Sequence, residues 1–170
     1  MNSQDGVPDT AIFVNGMFEG ALREIEAAQK DNPQQRGYLQ PYDRVPIKHF
    51  EKTTPTVQHP ITLYISLTTS LDKVSYIAKA VGWKDKRKLT PIELASFKEE
   101  LKKCQPSEND IYLQGPNGHD CVNLIIVSGM RHLDKPIKVS DLKKTRDHKS
   151  LKARQTSGKW AYVFEFPVSN

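Results

Sequence analysis

Apolar and polar positions alternate along three stretches of the chain, and this pattern predicts β-strands. Residues 61–67 and 74–83 alternate and are joined by a short polar connection, which is typical of a hairpin. Residues 160–166 repeat the alternation near the C-terminus. Residues 122–127 are almost continuously apolar, which favours a central strand. Shorter runs predict strands or extended segments at 11–14, near 45–50, at 111–113 and at 136–139.

Two segments carry the pattern of capped or amphipathic helices. Apolar residues recur every three or four positions over 17–30, at Phe18, Leu22, Ile25 and Ala28. A second helix is predicted up to about residue 103, because Thr90 and Glu93 form a capping box and Pro91 suits the first turn. Ser140 can cap a short helical turn over 140–144.

The predicted strands outnumber the helices and do not alternate with them. We therefore expect an α+β fold with a curved, mostly antiparallel sheet or pseudo-barrel of about six strands and flanking helices. No repeat or boundary divides the sequence. Residues 1–170 are expected to form one domain, in which 1–33 add an N-terminal strand and helix.

Composition places the chain among soluble globular proteins. Its 170 residues are 37% hydrophobic and 26% charged, and no apolar run is long enough to span a bilayer. The N-terminus lacks the basic start and apolar stretch of a signal peptide, so a cytoplasmic location is expected. Cys104 and Cys121 form no CxxC pair and are interpreted as reduced and packed.

Positive charge is concentrated in the last third of the sequence. The whole chain carries a formal charge of +5, whereas residues 131–159 hold ten basic and three acidic residues. A basic segment on a slightly acidic body is typical of polyanion binding. A solvated lysine-rich surface explains the same composition, and the two interpretations stay open.

Enzyme and cofactor motifs are absent from the sequence, so no catalytic residue, cofactor or metal is expected. GxGxxG, GxxxxGK[ST], HExxH and GxSxG do not occur. His119, Asp120 and Cys121 form the one local trio of metal-ligand types, without a second pair at ligand spacing. This trio is interpreted as a turn that enters a strand.

Two segments combine aromatic with polar or basic residues in a way that suits base recognition. Residues 38–43 place two tyrosines, an amide and a carboxylate on a proline-containing loop, and 83–88 join a tryptophan to four cations. Aromatic faces stack on bases, polar groups read base edges, and cations contact phosphates. The same residues could instead anchor a loop, end a strand and form a solvated turn.

The order of segments resembles the PUA-like superfamily, and within it the EVE and ASCH domains. EVE domains have a pocket strand that ends in tyrosine and serine, matched here by Tyr64 and Ser66, and a later proline, strand and Ser-x-Leu-Lys segment, matched by 136–143. The similarity covers residues 36–166. Phe13 replaces the usual tryptophan of the first strand and Ile65 an expected histidine, which leaves the ligand open.

The resemblance implies a reader of a modified base, such as 5-methylcytosine or N6-methyladenine, flipped into an aromatic pocket as in modification-dependent restriction systems. The implied partners are nucleic acid, with DNA favoured over RNA, and a fused or associated nuclease or motor domain. The expected base pocket consists of Tyr38, Gln40, Tyr42, Asp43, Tyr64, Ser66, Trp83 and Asp85. The expected phosphate contacts are Lys86, Arg87, Lys88, Lys143, Lys144, Arg146, Lys149, Lys152 and Arg154.

Two other functions remain open at the level of the sequence. An ASCH-like amidohydrolase acting on a modified nucleoside needs a lysine, a threonine and a glutamate that converge. Thr68, Thr69, Lys79 and Glu165 are available for that role, although no spacing distinguishes them. The third possibility is a protein-interaction domain with an incidental basic face.

Overall fold

A six-stranded mixed sheet forms the centre of the molecule. The computed structural model describes residues 10–41, 45–108, 110–115, 118–153 and 160–168. The strands are β1 (Thr10–Met17), β2 (Gly37–Leu39), β3 (Ile61–Leu67), β4 (Ser70–Asp85), β5 (Asn123–Lys138) and β6 (Trp160–Phe164). Their order is β2-β5-β4-β3-β1-β6, and the pairing is antiparallel except for the parallel pair β1–β3. The expected α+β fold with a curved, mostly antiparallel sheet is confirmed, and the sheet is open rather than closed.

Sheet curvature comes from the two longest strands. β4 and β5 each have 16 residues, and their pairing changes register at three points. Such bulges bend a strand and increase its twist. The long β4–β5 pair therefore curves the sheet around the helices that pack on it.

The described residues contain three α-helices: α1 (Glu19–Asp31), α2 (Val45–Lys52) and α3 (Pro91–Cys104). The predicted capping box is confirmed, because Thr90 Oγ1 accepts from the Glu93 N–H and Glu93 Oε1 accepts from the Thr90 N–H. The strand predicted near 45–50 is wrong, since this segment is α2. Pro46 lies in the first turn of α2, where the missing N–H of proline costs no intrahelical bond.

Three hydrophobic clusters hold these layers together. The main cluster joins α1 and α2 to one face of the sheet, through residues such as Leu22, Phe50 and Ile65. The outer cluster, which includes Tyr64, Val74 and Leu142, lies on the opposite face of β3, because successive side chains of a strand alternate between faces. The α3 cluster packs Phe97 and Leu101 on β2 and β5, and its full membership is Tyr38, Phe97, Leu101, Ile111, Leu124 and Ile126.

β1 belongs to the interior of the sheet, whereas the sequence pattern suggested an addition to it. β1 lies between β3 and β6, and α1 packs on β5. Contact between α1 and β2 is close at Gly37, where a Cβ atom would lie 2.5 Å from Ile25 Cγ2. The N-terminal strand and helix are thus part of the fold that positions the site described next.

Candidate functional site

A cavity of about 100 Å³ opens where β1 ends and the chain enters α1. A single water needs on the order of 10–15 Å³ of such space, so the cavity has room for several waters or a small planar ring. Residues 14–18 run along its wall. The β1–β3 register shifts between Val14 and Met17, and Gly16 has φ 82°, a value that favours glycine. The predicted turn at Asn15–Gly16 is therefore an irregularity of β1 and not its end.

The cavity combines aromatic and polar walls, contributed by β1, β2, β6 and the segments before β4 and β5. Pro41, Leu39 and Met17 add apolar surface. The aromatic residues that line it are Phe18, Tyr38, Tyr112 and Trp160, and the polar ones include Asn15, Gln40, Thr68 and Glu108. Flat aromatic faces beside hydrogen-bonding groups are the combination that binds a heterocyclic ring.

Phe18 is a large exposed aromatic residue at the rim of this cavity. It occupies the N-cap of α1, makes no side-chain cap hydrogen bond, and is 70% exposed. Serine, threonine, aspartate and asparagine are the usual residues at this position, because their side chains bond the free N–H groups of the first turn. The exposed ring of Phe18 thus serves neither the helix cap nor the core.

A buried ammonium lies directly behind the cavity. Lys86 is 5% exposed, and its Nζ donates to Gln40 Oε1 at 2.7 Å, Tyr112 O at 2.6 Å and Cys121 Sγ at 3.3 Å. The ammonium also lies 4.8 Å from the centre of the Tyr112 ring. Burial lowers the pKa of Lys86 and raises the pKa of the Cys121 thiol. Lys86 connects the loop after β2 to the segment before β5.

Two glutamine amides hold the Glu108 carboxylate at the cavity. Glu108 Oε2 accepts from Gln105 Nε2 at 3.0 Å and from Gln40 Nε2 at 3.4 Å. Gln105 Oε1 in turn accepts from the Tyr38 N–H at 2.9 Å, which fixes the orientation of this amide. Burial raises the pKa of Glu108, whereas the Gln40 hydrogen bond and the Lys86 charge lower it.

Two of the predicted base-pocket residues line the cavity, and a third supports its wall. Tyr38 and Gln40 line the cavity. Tyr38 is buried, donates its hydroxyl to Glu100 Oε2, and meets Phe97 edge-on with ring centres 5.7 Å apart. Ser66 does not line the cavity but supports its wall, because its Oγ accepts from the Gly16 N–H and donates to Asn15 Oδ1.

Three predicted pocket residues lie elsewhere, so the expected assembly of these residues around one hollow is corrected. Tyr64 is in the outer cluster, where its hydroxyl donates to the Phe166 carbonyl and accepts from the Phe166 N–H. Trp83 packs beside the main cluster and donates from Nε1 to Asn123 Oδ1. Asp85 is buried, and its pairing with Arg87 lowers its pKa. Tyr42 and Asp43 lie outside the described residues.

The basic triplet after β4 is not a uniform phosphate-binding turn. Lys86 is buried behind the cavity, which corrects the expectation that it contacts phosphate. Arg87 is exposed, but its guanidinium bonds both carboxylate oxygens of Asp85. Lys88 is exposed on the surface. The sequence pattern predicted a solvent-exposed turn because the residues that cover Lys86, namely Gln40, Tyr112 and Cys121, come from distant segments.

The predicted cationic segment near the C-terminus lies along the edge of β6. Lys144 forms a bridge with Val163, and the Thr145 N–H donates to the Tyr162 carbonyl. The chain turns back at 144–148, where the His148 N–H donates to the Lys144 carbonyl, and the His148 ring lies with its centre 4.9 Å from that of Phe164. Residues 139–153 hold two acidic and five basic residues, namely Lys143, Lys144, Arg146, Lys149 and Lys152. Arg154 lies outside the described residues.

Two of these cations have partners of their own. Lys143 Nζ donates to Ser150 Oγ at 2.7 Å, and Lys144 Nζ lies 3.6 Å from Asp147 Oδ2. Arg146, Lys149 and Lys152 are exposed. The segment thus presents a net positive surface at the edge of β6, anchored by Leu142 and Leu151 in the outer cluster.

A second polar group of residues lies on the outer face of β3 and β4. Lys79 Nζ donates to Thr62 Oγ1 at 2.7 Å, and Thr62 Oγ1 donates to Glu165 Oε1 at 2.7 Å. Thr62 and Lys79 are direct partners in the β3–β4 ladder, and Glu165 follows β6. The lysine and glutamate noted in the sequence therefore meet Thr62 and not Thr68 or Thr69.

Among the residues that line the cavity, the sequence predicted Tyr38 and Gln40 as pocket residues and missed the others. The sequence pattern predicts a turn at Asn15 and Gly16 and strands that contain Tyr112 and Trp160. It does not indicate that these four residues line a cavity. Glu108 follows the end of α3 and carries no motif of its own. Phe18 fits the apolar stripe of the predicted helix, so its exposure at the rim of the cavity is not evident from the sequence.

Comparison of the chain with protein-family models, with curated proteins and with solved structures finds no match. Among the described residues, no helix has the length and apolar character that crossing a membrane requires. The same part of the chain contains no group of three or more histidine, cysteine, aspartate or glutamate side chains arranged to hold a metal ion. The geometry of the cavity and its surroundings is thus the basis for the functional assignment.

Proposed function

We propose that this chain binds nucleic acid and reads a modified base, which it holds in the cavity at the end of β1 after the base has left the helical stack. The observation that carries the proposal is the cavity itself, with four aromatic residues and the half-buried carboxylate of Glu108 on its walls. Removing a base from a duplex costs a few kcal/mol, which stacking and edge hydrogen bonds must offset.

The basic segment supports the same proposal. Its exposed cations lie on the segment that pairs with the edge strand β6, and Trp160, the first residue of that strand, lines the cavity. Contacts between such cations and phosphates supply affinity without sequence preference. The protein would therefore combine a salt-dependent contact with a selective one.

Phe18 gives the sharpest test of the stacking contribution, because an exposed side chain can be removed without opening the core. Phe18→Ala should weaken binding roughly 5- to 150-fold, which corresponds to about 1–3 kcal/mol for one base–aromatic contact. Ile92 is a matched control, since it is 83% exposed and lies on α3 away from the cavity. Ile92→Ala should bind like the wild type.

The assay is a fluorescence-anisotropy titration at physiological salt with duplexes that differ at one base. The set contains unmodified, 5-methylcytosine, 5-hydroxymethylcytosine and N6-methyladenine duplexes. Preference for one modified duplex, reduced by Phe18→Ala and not by Ile92→Ala, supports the proposal. Equal affinity for every duplex would refute recognition of a modified base. Absence of binding even at low salt would favour a protein-interaction domain instead.

A second candidate function, amide hydrolysis on an acylated nucleoside, is favoured by the chain Lys79–Thr62–Glu165. The Glu165 carboxylate would take the hydroxyl proton of Thr62, whose Oγ1 then attacks the acyl carbon. The nucleoside amine leaves with a proton, and water hydrolyses the acyl-threonine ester. Lys79 Nζ donates to the same threonine oxygen from the other side.

Chromatography of acylated nucleosides after incubation with the protein tests this activity. Thr62→Val should abolish turnover, whereas Thr68→Val should preserve it, because Thr68 does not belong to the Lys79–Thr62–Glu165 chain. No turnover by the wild type, or equal turnover by Thr62→Val, would eliminate the hydrolase.

A cytoplasmic location and association with a nuclease or motor domain complete the proposal. Cys104 and Cys121 are both free and buried, which is compatible with a reducing compartment. A reader without cleavage chemistry of its own needs such a partner to act on the nucleic acid that it recognises.

A further inference from the structure

The hydrogen-bonding character of the cavity is set by one ionisable group. Among the described residues that line the cavity, Glu108 is the one that carries a formal charge. Of the two aspartates expected in the base pocket, Asp85 pairs with Arg87, and Asp43 lies outside the described residues. The chemistry of the base that fits should therefore follow from Glu108.

The orientation of this carboxylate is determined by its neighbours. Lys86 can only donate, so Gln40 must turn its Oε1 to Lys86 and its Nε2 to Glu108. The Tyr38 N–H must likewise meet Gln105 Oε1, which turns Gln105 Nε2 to Glu108. Both amide donors converge on the same oxygen, Oε2.

This arrangement leaves Glu108 able to accept further hydrogen bonds. An ionised carboxylate offers about four lone-pair sites, and the two amides use two of them. A ligand that donates an N–H gains a bond to a charged acceptor, whereas a ligand that presents a carbonyl oxygen there meets like charge. A buried acceptor facing another acceptor is costly, which is how such sites reject the wrong ligand.

We infer that Glu108 is the specificity-determining residue of the cavity and selects bases with an exocyclic amino group that retains at least one N–H. This inference rests on the proposed base-reading function. Cytosine and adenine, with or without one methyl group, have the required donor, whereas thymine, uracil and hypoxanthine present an oxygen at the same ring position. Carboxylates accept from the cytosine amine in the same manner at groove edges.

5-Methylcytosine and thymine form a matched pair for the test, because they share the ring and its methyl group and differ only at position 4, amino against carbonyl, and at N3, a bare nitrogen against an N–H. Wild-type protein should bind a duplex with 5-methylcytosine opposite guanine roughly 5- to 150-fold more tightly than one with thymine opposite guanine. The mismatched thymine leaves the stack more easily, so the comparison is biased against the inference. N6-methyladenine against hypoxanthine tests the same chemistry on a purine.

Glu108→Gln gives a directional prediction. The donors of Gln40 and Gln105 keep an oxygen at the Oε2 position, so the new amide nitrogen takes the other position and turns an acceptor into a donor. The variant should lose the preference for 5-methylcytosine and shift towards thymine. Glu99→Gln changes the same charge on the exposed side of α3 and should leave the preference unchanged.

A measurement on the wild-type protein tests the inference even if Glu108→Gln fails to fold. N4,N4-dimethylcytosine keeps the ring but has no N–H on its amine, so it should bind as weakly as thymine. Tight binding of this base, or an unchanged preference in folded Glu108→Gln, overturns the inference but leaves the reader function. Equal binding of every duplex by the wild type overturns the proposed function itself.

Discussion

Replacement of the buried Lys86 by methionine separates a structural role from a phosphate contact. The substitution keeps an unbranched apolar chain of similar length but removes the ammonium that joins Gln40, Tyr112 and Cys121. Lys88 provides a matched control, because it lies two residues away on the surface. Lys88→Met removes the same charge without removing a buried hydrogen bond.

The expected magnitude follows from the groups that lose their donor. The Gln40 side-chain oxygen and the Tyr112 carbonyl would each lose a short bond, at a cost of about 1–3 kcal/mol per buried acceptor. The burial penalty that lowers the pKa of Lys86 disappears with the charge and offsets part of this cost. We expect Lys86→Met to lower the free energy of unfolding by about 2–4 kcal/mol, and Lys88→Met to change it by less than about 0.5 kcal/mol.

Urea and thermal unfolding measure this difference directly. For a chain of this length, each kcal/mol corresponds to about 2–4 °C, so the melting temperature of Lys86→Met should fall by roughly 4–16 °C. Equal stabilities of the two variants would refute the burial of Lys86. If Lys86→Met lowered the salt dependence of nucleic-acid binding without loss of stability, the result would support the phosphate contact that the sequence predicted for Lys86.

Three further predictions concern other parts of the molecule. Lys149→Ala should weaken binding to all duplexes alike and reduce the slope of log affinity against log salt by about 0.9 if one phosphate contact is lost; an unchanged slope would exclude that contact. Burial raises the pKa of Glu108 above its ordinary 4.5. Above that pH the folded protein therefore binds more protons at this group than the unfolded chain does, and the free-energy cost of keeping Glu108 in the fold grows as the pH rises. Unfolding of Glu108→Gln at several pH values should therefore show its stability rising relative to wild type from pH 4 to 7, and a constant difference would contradict this. Gly37→Ala should lower the unfolding free energy by about 1–3 kcal/mol because the new methyl meets Ile25, whereas Gly20→Ala, which meets nothing within 4 Å, should not; equal melting curves would refute the close packing.

Much of the fold follows from local patterns that a single sequence displays. Alternation predicts β3 and β4, and the capping box at Thr90 predicts where α3 begins, because each depends on residues a few positions apart. The segment 45–50 shows the limit of such patterns. Its apolar residues fit a strand, but a proline in the first turn and packing of Phe50 in the main cluster favour a helix.

The candidate site depends on tertiary structure to a greater degree. Its walls come from residues 14–18, 38–41, 68, 108, 112 and 160, and they meet because β1 is inserted between β3 and β6. Burial likewise separates Lys86 from Lys88, although both belong to one basic triplet.

The sequence by itself determined the α+β class, the main strands, the two capped or amphipathic helices and the basic C-terminal third. Only the tertiary structure decided which aromatic and acidic side chains share a cavity and which lysine is enclosed. The physical reason is that periodicity and capping act over a few residues, whereas enclosure of a cavity requires contacts between segments up to about 145 residues apart.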